Sequence, residues 1–181
     1  MENGITEYFI VAGYITVAEV ILKEITKETW SECMNLALRL EQGGLIAPNS
    51  YRLHGCTAEP EFVQMGIHCG EDIVGYAMYG MDPDDGKYWI FRLMIDEQHQ
   101  RHGYAKAALA DIIQRLKALP DCDEVYVGYR PENRRAAAMY GGFNFVRTGQ
   151  MLFGEFIACL NLKQEEAMEP VITQIDRIAA G

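Results

Sequence analysis

Positive charge is scarce in this chain. Its 181 residues carry 16 Lys and Arg against 26 Asp and Glu, a formal charge of −10. Binding nucleic-acid backbones needs a basic face, so this balance argues against a general nucleic-acid partner. The same acidity suits a cationic ligand, or simply keeps the protein soluble. Cysteine pairing is also missing: Cys33, Cys56, Cys69, Cys122 and Cys159 are odd in number, scattered, and form no CxxC. With no secretory leader ahead of them, they read as reduced thiols in a cytoplasmic protein, mostly filling the core. A membrane-length apolar run is absent too. The uncharged stretch at 8–18, YFIVAGYITVA, is bounded by Glu7 and Glu19; it is too short to cross a bilayer and has acidic flanks. An extra strand, an ordered arm or a partly disordered extension all remain open for it. No internal repeat or linker divides the chain, so one domain with a full core is expected.

What is present is a mixed pattern of strands and helices. Residues 17–25 predict a strand. Thr26-Lys-Glu-Thr29 then supplies helix-start chemistry for a helix to about Glu41 that buries Trp30, Cys33, Met34, Ala37 and Leu40. Gly43-Gly44 ends it, and 45–60 read as irregular. Strands follow at 61–69 and 72–79, joined in hairpin style through Gly70-Glu71. Asp82-Pro-Asp-Asp-Gly86 is a turn by composition. The strand at 87–96 is apolar on both faces and is expected at the centre of a sheet. Ala108, Leu109, Ile112, Ile113 and Leu116 fall at helical spacing in a helix over 105–118, before Pro120. A strand at 124–129, a short helix from Pro131 to Tyr140 broken by Gly141-Gly142, and strands at 143–147 and 151–160 complete the series. The order, with hairpins early and crossovers late, predicts a mixed α/β sheet and not a doubly wound parallel one. Residues 161–181 read as a polar tail.

The most telling stretch is YWIFRLMIDEQHQRHGYAK at 88–106, an apolar strand, a loop of pattern Gln100-x-x-Gly103-x-Ala105, and a helix at once. A Gly in such a turn lets successive N–H groups converge, and the helix start adds partial positive charge. The backbone from Arg101 to Lys106 is therefore a seat for a phosphate or pyrophosphate. A simple turn glycine is the bland alternative.

Gln100-Arg101-His102-Gly103-Tyr104-Ala105 resembles the acetyl-CoA loop of the GNAT N-acetyltransferases, Q/R-x-x-G-x-G/A. ArgLeuMetIleAsp at 92–96 extends the match, as do Asn133-x6-Tyr140 and Gly142-Phe143. More narrowly, the chain is similar to bacterial spermine/spermidine (diamine) acetyltransferases. IleThrLysGluThrTrp at 25–30, GluGlnGlyGlyLeuIleAlaProAsn at 41–49, ValGlyTyrAlaMetTyrGly at 74–80 and GlyGluPheIleAlaCysLeu at 154–160 carry that likeness. The resemblance implies a single-domain GNAT fold, a mixed central sheet of about six to seven strands flanked by helices. It covers 18–162, leaving 1–17 as an N-terminal extension and 163–181 as a C-terminal tail.

The resemblance also assigns roles. Acetyl-CoA would be the co-substrate, its pyrophosphate held by Gln100 through Lys106. A bulge near Leu93-Met94-Ile95 would free main-chain groups for the pantetheine amides. Asn133 would bond the cofactor, cap its helix, or both. Tyr140 would give a proton or hydrogen bond to the departing thiolate; its phenol, with an ordinary pKa of about 10, is protonated at neutral pH. A buried core tyrosine is the alternative. The acceptor would be a small polycationic amine such as spermidine or spermine. Close alternatives are an aminoglycoside-like antibiotic or a protein N-terminus; a non-catalytic acyl-CoA-binding module is the different-class reading. An alkylammonium of pKa about 10.4 is neutral only to about one part in a thousand at pH 7, so its deprotonation needs help. Some family members place a Glu five residues before the Asn, where this chain has Gly128. Glu41, Glu155 and Glu32 are the candidate bases, directly or through water. They also suit the remote ammonium groups of a polyamine, or plain surface ion pairs. No metal is expected: His99 and His102 lack a third ligand and read as loop histidines near phosphate. Arg130, Arg134 and Arg135 cluster by the second cofactor block. Homodimers are common in the family, and exposed end strands offer a route to pairing.

Overall fold

The structure, a computed structural model, describes residues 5–11, 14–26, 29, 31 and 62–163. The helix expected from Thr26 to Glu41, the irregular segment at 45–60 and most of the C-terminal tail lie outside the described residues, and with them Glu32 and Glu41. Strands β1 (Ile5–Val11) and β2 (Tyr14–Glu24) lead to β3 (Phe62–Cys69), β4 (Asp72–Met81) and β5 (Tyr88–Ile95). A 3-10 turn (Glu97–His99), helix α1 (Tyr104–Lys117), β6 (Glu124–Tyr129), helix α2 (Arg134–Gly142), β7 (Val146–Leu152) and β8 (Glu155–Asn161) follow. The sheet order is β1-β2-β3-β4-β5-β6-β8-β7. Neighbours are antiparallel except β5 and β6, which run parallel. Strands β2 to β8 form the expected mixed sheet, and β1 adds an eighth strand along β2. Residues 8–11 and 14–18 of the uncharged run thus lie in two antiparallel edge strands, continuous with the sheet.

The core follows from period. The face of α1 foreseen from its spacing is buried: Ala108, Leu109 and Ile112 are each 0% exposed. They pack on Val74, Ala77, Ile90, Val125 and Val127 in one cluster that also holds Tyr140 and Phe145. Residues this enclosed lose about 2–5 kcal/mol of stability when Leu or Ile is cut to Ala. Ile73, Tyr76, Met78 and Met94 form a second, smaller cluster, with Ile25, Phe62 and Phe91 packed against it. β4, not β5, is the strand buried along nearly its whole length, from Ile73 to Gly80. Within it, Gly75 comes so near β5 that a β-carbon would land on the Met94 carbonyl and 2.8 Å from Ile95 Cδ1. Only glycine fits there.

Three local expectations shift. Gly141 and Gly142 do not break α2 but form its last turn. The helix stops where Asn144, at φ 63°, takes the left-handed conformation and the Phe143 and Phe145 N–H groups close on the Tyr140 carbonyl. The stretch read as one strand at 151–160 is a hairpin instead. Phe153 and Gly154 both have positive φ, 50° and 81°, a tight turn that separates β7 from β8. The irregularity expected near Leu93 lies at Phe91: Tyr79 pairs with Ile90 and Met78 with Arg92, so Phe91 is the extra residue.

Candidate active site

The site grows from the seam between β5 and β6. These strands pair at Tyr88↔Val125, Trp89↔Tyr126 and Ile90↔Val127, and there the ladder ends. The bulge at Phe91 begins at the next residue and bends β5 away. Beyond it, Arg92–Ile95 and Gly128–Tyr129 flank a gap on either side, each still paired on its outer edge to β4 or β8. In an antiparallel ladder alternate residues aim their N–H and C=O away from the partner strand. On the inner edge of β5 those groups face the gap and are available to an extended amide chain. Leu93 is half-buried in the main core, while Met94 and Ile95 are buried; what they offer a ligand is main chain.

At the end of β5 the chain turns into α1. Asp96 accepts from the Gln98 N–H and starts the 3-10 turn, and the Gln100 Nε2 donates to the Ile95 carbonyl at 3.2 Å. Gln100 therefore pins the loop to the strand. Arg101 (φ 69°) and Gly103 (φ 84°) are both left-handed, and Gly103 caps the 14-residue helix. The first intrahelical donors to be satisfied are Lys106 and Ala107, both to the Gly103 carbonyl. The N–H groups before Lys106 precede the helix's own ladder, as at any helix start. Successive donors at a helix start, with exposed Arg101, His102 and Lys106 around them, fit a pyrophosphate. His102 Nδ1 lies 3.2 Å from the His99 carbonyl, and its ring stacks on Tyr104 at 5.5 Å. The Tyr104 hydroxyl accepts in turn from Cys69 Sγ. These contacts hold the loop shape, so His102 and Tyr104 act on the cradle as supports as well as lining.

At the end of β6, Asn133 caps α2 through Oδ1, accepting from the Ala136 N–H at 3.0 Å. Two turns on, Tyr140 is 7% exposed and stacks on Tyr129 at 5.8 Å, with Phe145 edge-on at 5.4 Å. Tyr129 is the last residue of β6, past the final β5 pairing, which places the Tyr140 ring against the gap's β6 wall. Burial pushes the Tyr140 pKa far above its ordinary value, and the negative charge of Glu155 raises it further. The phenol is therefore a proton holder throughout the neutral range. Arg147 donates from Nε to the Tyr129 hydroxyl at 3.1 Å and lies over the Phe156 ring at 4.1 Å. Sequence reading did not pick out Arg147 or Tyr129, since only the β7–β8 hairpin brings Arg147 there.

Glu155 opens β8 directly after the turn, opposite Leu152. Gly128 pairs with Ile157, so Glu155 sits diagonally across from Gly128. A β-carbon on Gly128 would be 2.7 Å from Glu155 Oε2. The carboxylate fills the space of the side chain that Gly128 lacks. Arg134 and Arg135 are exposed on α2 and Arg130 is half-buried at its approach. Burial pushes the Cys122 thiol up to about 11, as befits a core thiol. Among the described residues no cluster of three or more His, Cys, Asp and Glu is placed to hold a metal ion, and no helix is long and apolar enough to cross a membrane.

Comparison with known proteins agrees with this geometry. The chain is 28% identical over 138 residues to a spermine/spermidine N(1)-acetyltransferase of Bacillus subtilis, covering 73% of this chain and 91% of that protein. Its fold superposes on AAC(6')-Ib in complex with ribostamycin and coenzyme A with a TM-score of 0.69 at 15% identity, covering 84% and 98% of the two chains. A chimera of the Vibrio cholerae spermidine N-acetyltransferase gives 0.64 at 12% identity, covering 82% and 98%. Residues 21–145 match the model of the acetyltransferase (GNAT) family. With a splayed parallel seam, an N–H cradle following one of its strands and a buried tyrosine beside the end of the other, the chain belongs to the GNAT family of N-acetyltransferases, whose acyl donor is acetyl-CoA.

Proposed function

We propose that this enzyme acetylates a primary amine of a polyamine such as spermidine or spermine, by direct transfer within a ternary complex. The observation that carries the substrate class is the likeness to the B. subtilis spermine/spermidine enzyme across 91% of that protein's length. The charge of −10 is consistent with it, since an acidic protein concentrates a polycation.

In this reading acetyl-CoA supplies a thioester at the gap. The loop from Gln100 to Lys106 holds the pyrophosphate through its N–H groups, and the inner edge of Leu93-Met94-Ile95 meets the pantetheine amides. Asn133 fixes the start of α2 and so the height of Tyr140. The amine attacks the thioester carbonyl, a carboxylate takes its first proton, and Tyr140 protonates the departing thiolate. Fixing both reactants at the gap removes most of the entropic cost of their encounter. The described cysteines Cys69, Cys122 and Cys159 are free thiols, as suits a reducing cytoplasm.

The test is CoA release from acetyl-CoA with spermidine, spermine, an aminoglycoside and a peptide N-terminus at matched concentrations. The highest kcat/KM is expected with the polyamines. Turnover confined to the aminoglycoside or the peptide overturns the polyamine assignment.

A further inference from the structure

Resting on the acetyl-transfer reading, we propose that Glu155 of β8 is the catalytic base for the acceptor ammonium, and that position 128 is glycine so that this carboxylate can stand over β6 at the mouth of the gap. Three placements carry the inference.

The first is the contact itself. Gly128 is the first residue of β6 beyond its last pair with β5, so it marks the point where the seam opens. Glu155 Oε2 lies 2.7 Å from the β-carbon position of that residue. The second is register. The two-residue Phe153-Gly154 turn sets Leu152 opposite Glu155, and β6–β8 pairing sets Gly128 opposite Ile157. Phe156, Ala158 and Leu160 then face the main core, and Glu155 faces the other side of the sheet. The hairpin thus delivers a carboxylate across the strand to a fixed height. Phe153 holds a left-handed φ of 50° although it is bulky and 84% exposed, so the turn is kept at some cost in strain.

The third is where other carboxylates of these two strands lie. At the opposite, N-terminal ends of β5 and β6, Asp85 accepts from the Trp89 Nε1, Asp121 from the Tyr88 hydroxyl and Glu124 from the Tyr126 hydroxyl. Asp123 pairs with Lys163. Asp96 is bonded to its own turn. Glu155 stands instead over the seam's opening, and its charge adds to the burial that raises the Tyr140 pKa.

The proton ledger closes with these two groups. Glu155 takes one proton from the R–NH3+ acceptor, and the freed lone pair forms the N–C bond to the thioester carbonyl. The C–S bond breaks, and the sulfur takes the Tyr140 proton. The phenolate then recovers a proton from the nitrogen as the amide forms, and Glu155 returns its proton to water.

Glycine at 128 makes the idea separable from folding. The atom a new β-carbon would meet is the tip of a flexible side chain, and φ at this position is not left-handed. Gly128→Ala should therefore fold with its Tm unchanged or raised, while its methyl group pushes the carboxylate aside. All variants are assayed with whichever amine of the panel the wild type acetylates fastest, so a failed polyamine assignment does not blur the result. Glu155→Gln is expected to lower kcat about 100-fold, and Gly128→Ala about tenfold. Acetyl-CoA Kd, read by calorimetry, should stay within about twofold in both. The exchange Gly128→Glu with Glu155→Gly should recover at least about tenfold in kcat over Glu155→Gly alone. Unchanged kcat in Gly128→Ala or Glu155→Gln overturns the inference, as does a wild type that acetylates no amine of the panel. A loss seen wholly in acetyl-CoA Kd overturns it as well.

Discussion

On its β4 side, β5 is paired from Tyr88 to Ile95; on its β6 side the ladder stops after Ile90. The same four residues, Arg92 to Ile95, are thus backbone-paired along one edge and open along the other. Each seam is governed at a glycine. At Gly75 a side chain would strike the Met94 backbone, which cannot move without parting the strands. At Gly128 it would strike a carboxylate tip, which can swing away. The closed seam spends its glycine on stability, and the open seam keeps its glycine for chemistry.

The comparison can be broken most severely at Tyr140. Tyr140→Phe keeps the ring and its stacking on Tyr129 but removes the proton that we propose is given to the departing thiolate. We expect kcat to fall about 100-fold, equivalent to about 2.7 kcal/mol of transition-state stabilisation, with acetyl-CoA Kd unchanged. Steady-state kinetics beside calorimetry checks this; a kcat within twofold of wild type would remove Tyr140 from the mechanism. The closed seam should fail in the opposite way. Gly75→Ala is expected to lose about 2 kcal/mol of stability in urea unfolding as the strands part to admit the methyl group. Activity per folded molecule should fall much less than in Tyr140→Phe. The smallest effect is expected at the α2 cap. Asn133→Ala removes the acceptor of the Ala136 N–H and should cost about 1 kcal/mol in the same unfolding assay. If Asn133 also meets the cofactor, acetyl-CoA Kd weakens alongside; a Kd equal to wild type reduces its role to the cap.

Much of the cofactor side was legible from local chemistry. Gln100, Gly103 and Asn133 act within a few residues of themselves, as a strand tether, a left-handed cap and a helix cap. Their spacing is preserved in the linear chain, and so a motif can carry them. The buried face of α1 was equally plain, because Ala108, Leu109, Ile112, Ile113 and Leu116 repeat at the helical period. The misreadings fell where a composition rule met tertiary context. Gly141-Gly142 suggests a break, yet closure of Phe143 and Phe145 on the Tyr140 carbonyl carries the helix through both glycines. Phe153-Gly154 is a weak turn signal, because a phenylalanine rarely accepts positive φ. The bulge was expected two residues late, since register shifts depend on the partner strand and leave no mark in one strand alone.

The sequence by itself therefore determined most of the elements, the loop and caps around Gly103 and Asn133, and the family, all of which rest on short-range periodicity, caps and backbone conformation. Tertiary structure decided where the seam opens and which carboxylate stands over it. Glu155 and Gly128 are far apart in the chain and meet only through the β6–β8 register and the hairpin turn before Glu155. Such pairings are set by long-range burial of alternate side chains, which no local pattern records.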